Sequence, residues 1–213
     1  AVRDIIDMIC MRDENIEKRA TSKEKISEHV KAHVKAVQET ILEYIDLIQE
    51  MAARISLHLK KGGKILIAGN GGSAADAMHF ATELVGKFKR VRKGIPALTL
   101  NSDQTLMTCI SNDFGYEEIF ERQIETLGNA DDILIVLTTS GRSRNIIKAI
   151  EKASSMGITI IAVTGEYLEL IRKAMGSGEG RIISVKSNDT AVIQEVTYTL
   201  LHILASILDE ERE

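Results

Sequence analysis

His79 and Glu83 stand four residues apart in AMHFATEL, and Gln194, Tyr198 and His202 follow at four-residue intervals in IQEVTYTLLHIL. On a helix each spacing puts its side chains on one face. Were the two faces to meet, they would join two imidazoles, one carboxylate and one amide oxygen. That donor set suits a divalent metal such as zinc, with a position open to substrate. Blander readings exist for each half. His79–Glu83 is a common surface pair, and His202 suits a core histidine with a satisfied partner. A Gln and a His on a mostly apolar helix face need partners either way.

A second kind of chemistry belongs to two loops. Gly69-Asn70-Gly71-Gly72-Ser73 follows the apolar run KILIA and precedes a helical pattern, so its amides gather at a helix N-terminus. Thr138-Thr139-Ser140-Gly141-Arg142-Ser143 follows ILIVLT and also opens a helix, with four hydroxyls and a glycine. Both suit a phosphate or another anion. Alone, the first could be a tight turn and the second a helix cap. The first lacks GxGxxG spacing and the second lacks a P-loop lysine, so a sugar or metabolite phosphate fits better than a nucleotide. A third loop, Thr164-Gly165-Glu166, reads as merely structural.

The elements that position these residues are legible from periodicity. Residues 1–20 read as a short peripheral helix and linker. Thr21 and Glu24 suggest a capping box opening a long helix, apolar at Ile26, Val30, Val34, Val37 and Ile41 and ending near Lys60-Lys61-Gly62-Gly63. Such a helix would project past a small domain and pack its apolar stripe on another subunit. Its His29 and His33 read as solvated. Strands are expected at 65–68, 97–100, 133–138, 158–164 and 182–185. Helices are expected at 73–86, 103–111, 116–127, 143–156, 166–175 and 188–209. This alternation predicts an α/β fold with a parallel sheet covered on both faces, a single domain over 21–213 that includes the long helix at about 21–60. Right-handed crossovers place the loops at the strand C-terminal ends, where ligands bind.

Composition narrows the class further. The 213 residues are 27% charged and 44% hydrophobic, with a net charge of −4, no Trp and 4% aromatics. That argues against nucleic acid as a partner, which needs a basic face or a stacking platform. Two cysteines without CxxC spacing fit a reducing cytoplasm. The acidic residues in AVRDIIDMICMRDEN exclude a secretory signal, and no long uninterrupted apolar run suggests a membrane span.

The motifs GNGGSAADAMHFATEL, SNDFGYEEIF, LTTSGRSRNIIKAI, VTG and IQEV…LLHIL, in this order over about residues 24–210, resemble the sugar isomerase (SIS) domain family. Within it they resemble the isomerases of seven-carbon sugar phosphates. The resemblance implies a five-stranded, three-layer SIS sandwich and a homotetramer with active sites at subunit interfaces. It implies aldose–ketose isomerisation of sedoheptulose 7-phosphate to D-glycero-D-manno-heptose 7-phosphate, which opens the nucleotide-heptose route to surface polysaccharides, lipopolysaccharide included. Carried over by position, His79, Glu83, Gln194 and His202 match ligands of one zinc per subunit, and Glu83 and His202 the acid/base pair. Asn70, Gly71, Gly72, Ser73, Asp103, Thr138, Thr139, Ser140, Ser143, Gln194 and Lys87 match substrate contacts.

Three positions depart from the family pattern. Lys87 stands for Arg, keeping charge but losing the bidentate fork. Val192 stands for the Arg that usually precedes IQE, and Thr138 for a Ser. The alternatives are a non-catalytic SIS adaptor of the replication-initiator-associating type, or an SIS isomerase or sensor for another sugar phosphate. The adaptor type typically lacks the glutamate and the histidine that stand here as Glu83 and His202.

Overall fold

The computed structural model describes residues 2–178 and 180–210, with side chains from residue 21 onward. Two compact units comprise residues 1–35 and 36–213. The chain enters on α1 (Val2–Glu43) and continues into α2 (Ile45–Lys60). Thr21 therefore lies inside a helix and opens none, which corrects the expected boundary at residue 20. The charged stretch MRDENIEKRA carries no Gly or Pro and is rich in good helix formers, so nothing local stops the helix.

The expected single helix to residue 59 is instead interrupted at Tyr44 (φ −106°, ψ 15°). The break falls where the chain after the last strand docks. The Lys186 amide donates to Thr40 Oγ1 at 3.0 Å, and its ammonium reaches Glu43 at 2.8 Å. That ammonium also lies 5.7 Å from the Tyr44 ring centroid.

From Lys64 onward strands and helices alternate. They are β1 (Ile65–Gly69), α3 (Gly72–Val85), β2 (Ala97–Thr99), α4 (Gln104–Phe114), a 3₁₀ turn at Tyr116–Glu118, α5 (Glu121–Leu127), β3 (Ile133–Thr138) and α6 (Arg144–Ser155). Then come β4 (Thr159–Thr164), α7 (Glu169–Met175), β5 (Gly180–Ser184) and α8 (Thr190–Glu210). The sheet is five-stranded and parallel, in the order β2-β1-β3-β4-β5. Successive strand residues point to opposite faces. Ile133, Ile135 and Leu137 thus join a core with α2, α3 and α8, while Leu134 and Val136 join one with α4, α5, α6 and α7. Each fully buried Ile or Leu contributes about 1.5–3 kcal/mol of burial energy. That two-sided demand is why the central strands read as unbroken apolar runs.

By length and composition α8 would also suit a membrane span, contrary to the sequence reading, yet half of its most apolar window is buried in this core. Because β2 lies on one side of β1 and β3 on the other, the chain reverses its direction of winding at β1. The C-terminal ends of β1 and β3, paired in register at Gly69 and Leu137, flank the crevice this reversal opens.

Candidate active site

Both glycine- and hydroxyl-rich loops leave the sheet at that crevice. In the first, Gly71 takes φ +57°, a left-handed value that favours glycine. Gly72 is required by proximity instead: a Cβ there would stand 2.2 Å from Gln194 Nε2. Asn101, just past β2, braces the turn, accepting from the Gly69 amide at 3.2 Å and donating to its carbonyl at 2.9 Å. In the second loop Thr138 Oγ1 accepts from the Gly141 amide at 3.3 Å, and Ser140 Oγ from the Arg142 amide at 3.2 Å. Each hydroxyl keeps its proton for an incoming anion. Among the described residues no side chain caps α3 or α6, so the first turn of each offers its amides to a ligand.

A reciprocal amide pair locks the loops together. Asn70 and Asn145 each donate to the other's oxygen at 2.9 Å, and the Tyr116 hydroxyl adds a 3.0 Å bond to Asn70 Oδ1. With both lone pairs of that oxygen engaged, Asn70 meets a ligand through Nδ2 or its backbone. The third loop packs against the second. Gly165 packs against the Thr139 carbonyl, where a Cβ would come within 2.6 Å. Glu166 and Tyr167 line a cleft of about 270 Å³ with Thr139, Ser140 and Arg142, whose guanidinium lies 4.1 Å from the Tyr167 ring centroid.

The two helix faces do meet. His79 Nε2 lies 3.1 Å from Glu83 Oε1 and 3.4 Å from His202 Nε2, although the histidines are 123 positions apart. One ligand atom from each of His79, Glu83 and His202 falls within 4.8 Å of the others. Tetrahedral zinc with ligand bonds of about 2.0–2.1 Å needs ligand atoms about 3.3 Å apart, which the two separations from His79 match. Gln194 stands two turns before His202 on α8, its amide at the start of α3. The His202 ring packs at 4.4 Å from Tyr198 and stacks on Phe88 at 5.5 Å and 25°. A cleft of about 530 Å³ opens beside it, lined by Phe88, Lys89, Thr199 and Ser206 among others.

Asp76, one turn before His79 on α3, has a buried oxygen, Oδ2, with no hydrogen-bond partner. Burial pushes its carboxyl above the usual range, and the His79 charge acts in the opposite direction.

The remaining sequence candidates sort by position. Ser73 is buried in the first turn of α3. Ser143 is the N-cap residue of α6 with its hydroxyl unused for capping. Asp103 caps α4, accepting from the Leu106 amide at 2.9 Å. Lys87 is exposed just past α3, and Val192 is buried in the core. Sequence reading missed Asn101, Asn145, Tyr116 and Phe88. Asn101 carried a usable signal, a polar residue directly after a strand on the ligand-binding edge.

A doubly covered parallel sheet in this order, with glycine- and hydroxyl-rich loops and a histidine–carboxylate cluster at one edge, is the arrangement of a sugar isomerase-type domain. A family model described as SIS domain matches residues 27–165. Over 188 residues the chain is 45% identical to phosphoheptose isomerase of Thermodesulfovibrio yellowstonii, covering 88% of this chain and 91% of that one. It is 39% identical to the Helicobacter pylori enzyme of that name, covering 84% and 91%. The solved phosphoheptose isomerase of Francisella tularensis superposes with a TM-score of 0.81 at 33% identity, covering 88% of this chain and 97% of that one. That of Neisseria gonorrhoeae gives 0.81 and 33%, covering 88% and 98%. The chain belongs to the phosphoheptose isomerase family of SIS domain proteins.

Proposed function

We propose that this enzyme converts sedoheptulose 7-phosphate to D-glycero-D-manno-heptose 7-phosphate through an enediol. The observation that carries the reading is the convergence of His79, Glu83 and His202 beside two anion loops at the sheet crevice. A carbon acid next to a carbonyl is weak, so isomerisation needs a placed base and stabilised enediolate oxygens. Glu83 removes the proton from C1 of the ketose and returns it to C2. Oε1 faces His79, and Oε2 is assigned to the moving proton. His202 transfers the hydroxyl proton from O1 to O2, so the step is balanced without an external acid. The Thr138–Ser143 loop holds the phosphate and thereby positions the reacting end. The Gly69–Ser73 turn holds the sugar end beside the cluster.

Zinc, one per subunit, would be held by His79, Glu83, Gln194 and His202 and would supply a Lewis acid at the substrate carbonyl; ligation and proton transfer compete for the same lone pairs, so Glu83 and His202 serve one role at a time. A homotetramer with sites at subunit interfaces is proposed on the exposed apolar stripe Ile26, Val30 and Val34 of α1. We place the reaction in the cytoplasm, in keeping with the free, exposed Cys109, at the head of heptose supply for lipopolysaccharide. The non-catalytic adaptor reading is not favoured, because Glu83 and His202 are both present and adjacent to His79.

The test is turnover of sedoheptulose 7-phosphate by wild type, Glu83→Gln and His202→Gln, with bound metal measured in each. Removing a general acid or base lowers kcat by roughly 10²–10⁴-fold. Unimpaired turnover in both variants would refute the assignment.

A further inference from the structure

The segment after α3 contains a buried ion pair that touches neither the anion loops nor any reacting side chain. Arg92 Nε lies 2.7 Å from Asp209 Oδ1, and their side chains are 2% and 1% exposed. The other edge of the guanidinium faces the end of α3. Nη2 donates to the Glu83 carbonyl at 3.0 Å and Nη1 to the Leu84 carbonyl at 2.9 Å. These are among the last carbonyls of the helix, which lack intrahelical donors and carry its negative pole. Asp209, two turns beyond His202 on α8, uses its second oxygen to accept from the Arg90 amide at 2.8 Å and the Lys89 amide at 3.3 Å. The residue before Lys89 is Phe88, which stacks on the His202 ring.

One planar group therefore spans the turn that carries Glu83 and the helix that carries His202. The carboxylate on its far side anchors the segment that packs on His202. A buried pair of this kind is weak evidence for stability, since apolar residues of similar volume often do as well. Its geometric consequence is specific: it fixes where the end of α3 sits against α8. A lysine could match the charge but not reach two carbonyls and a carboxylate in one plane.

We propose that Arg92 and Asp209 form a positioning pair that sets the separation of Glu83 from His202. The proposal rests on the reading that those two side chains move the protons. Misplacing catalytic groups by about 1 Å lowers rates by up to about 10²-fold. The expectation for Arg92→Lys, and for the apolar double variant Arg92→Met/Asp209→Leu, is a kcat lower by about 10–100-fold with KM within about twofold. The double variant leaves no unpaired buried charge but removes the acceptor of the Arg90 and Lys89 amides, so its denaturant midpoint must show it folded before kcat is read.

Lys64→Met serves as the control. It breaks the partly buried contact of Lys64 with the buried Asp132, 2.6 Å long, at the opposite end of the sheet, and, with its denaturant midpoint showing it folded, should leave kcat unchanged. Wild-type kcat in both folded Arg92 variants overturns the proposal, as does an equal fall in kcat for Lys64→Met. If Glu83→Gln and His202→Gln lose turnover while the Arg92 variants keep it, only the positioning role falls. If Glu83→Gln and His202→Gln both keep turnover, the underlying reading falls with it.

Discussion

Gly72→Ala separates placement of the site from stability of the fold. The new Cβ would stand 2.2 Å from Gln194 Nε2 and 2.9 Å from its Cδ. Ordinary contact begins at 3.4 Å, so the amide must withdraw by about 1.2 Å. The clash is with the end of a flexible side chain, so the backbone need not move. Alanine in place of glycine inside a helix gains roughly 0.5–1 kcal/mol, and an off-rotamer Gln costs about 0.5–1.5 kcal/mol. Net stability should stay within about 1 kcal/mol of wild type. Activity should not: a shift near 1 Å in a group that helps assemble the centre costs up to about 10²-fold in rate.

The assays are kcat on sedoheptulose 7-phosphate and the urea midpoint, run together. A double-mutant cycle sharpens them, because in a Gln194→Ala background the added methyl has nothing to displace and should change kcat little further. Wild-type kcat in Gly72→Ala, or an undiminished effect in the Gln194→Ala background, would refute the reasoning. Gly71→Ala should lose stability. Nothing lies within 4 Å of its Cβ, but φ +57° with ψ −121° is a backbone that L side chains rarely adopt, so it should cost about 1–3 kcal/mol.

Asn145→Ala leaves Asn70 Nδ2 without its acceptor, while Tyr116 still bonds Oδ1, and should cost about 1–3 kcal/mol and raise KM by loosening the two loops; unchanged KM and midpoint would count against the lock. Ser140→Ala removes a hydroxyl assigned to phosphate, and a bond to a charged group is worth about 1.5–3 kcal/mol. KM should therefore rise by roughly 10–150-fold, and a fall in kcat alone would contradict the assignment. Burial pushes the Asp209 carboxyl up, but the Arg90 amide, the Arg92 guanidinium and the Lys89 amide outweigh it and hold the group below its usual range. Its stabilisation is thus complete above the unfolded value of about 3.9 and lost as pH falls through the lower folded value. The difference in urea midpoint between wild type and Asp209→Asn should be constant from pH 7 to 5 and shrink below about pH 4; a difference that does not vary with pH would contradict this.

The errors of sequence reading cluster where neighbours in space, not in the chain, decide the outcome. Nothing in ILEYID signals an interruption at Tyr44, because its surroundings are supplied by Lys186, far along the chain. Thr164-Gly165-Glu166 reads as structural, and its packing against Thr139 is not written in its spacing. Asn70 was legible as a polar group in a glycine turn, but its engagement by Asn145 and Tyr116 was not. Arg92 and Asp209 gave no signal, since an arginine in a basic loop and an aspartate near a helix end resemble ordinary surface charges.

By itself the sequence determined the strand–helix alternation, the two loops, and the faces on which His79, Glu83, Gln194 and His202 lie. Those follow from local geometry: period two in a strand, 3.6 in a helix, and the backbone freedom of glycine. Only the tertiary structure decided that β1 and β3 are neighbours, so that both loops border one crevice, and that α3 packs on α8 closely enough to bring His202 within 3.4 Å of His79. The physical reason is that such meetings depend on how two apolar faces of distant segments are buried together, and helical spacing carries no record of the partner.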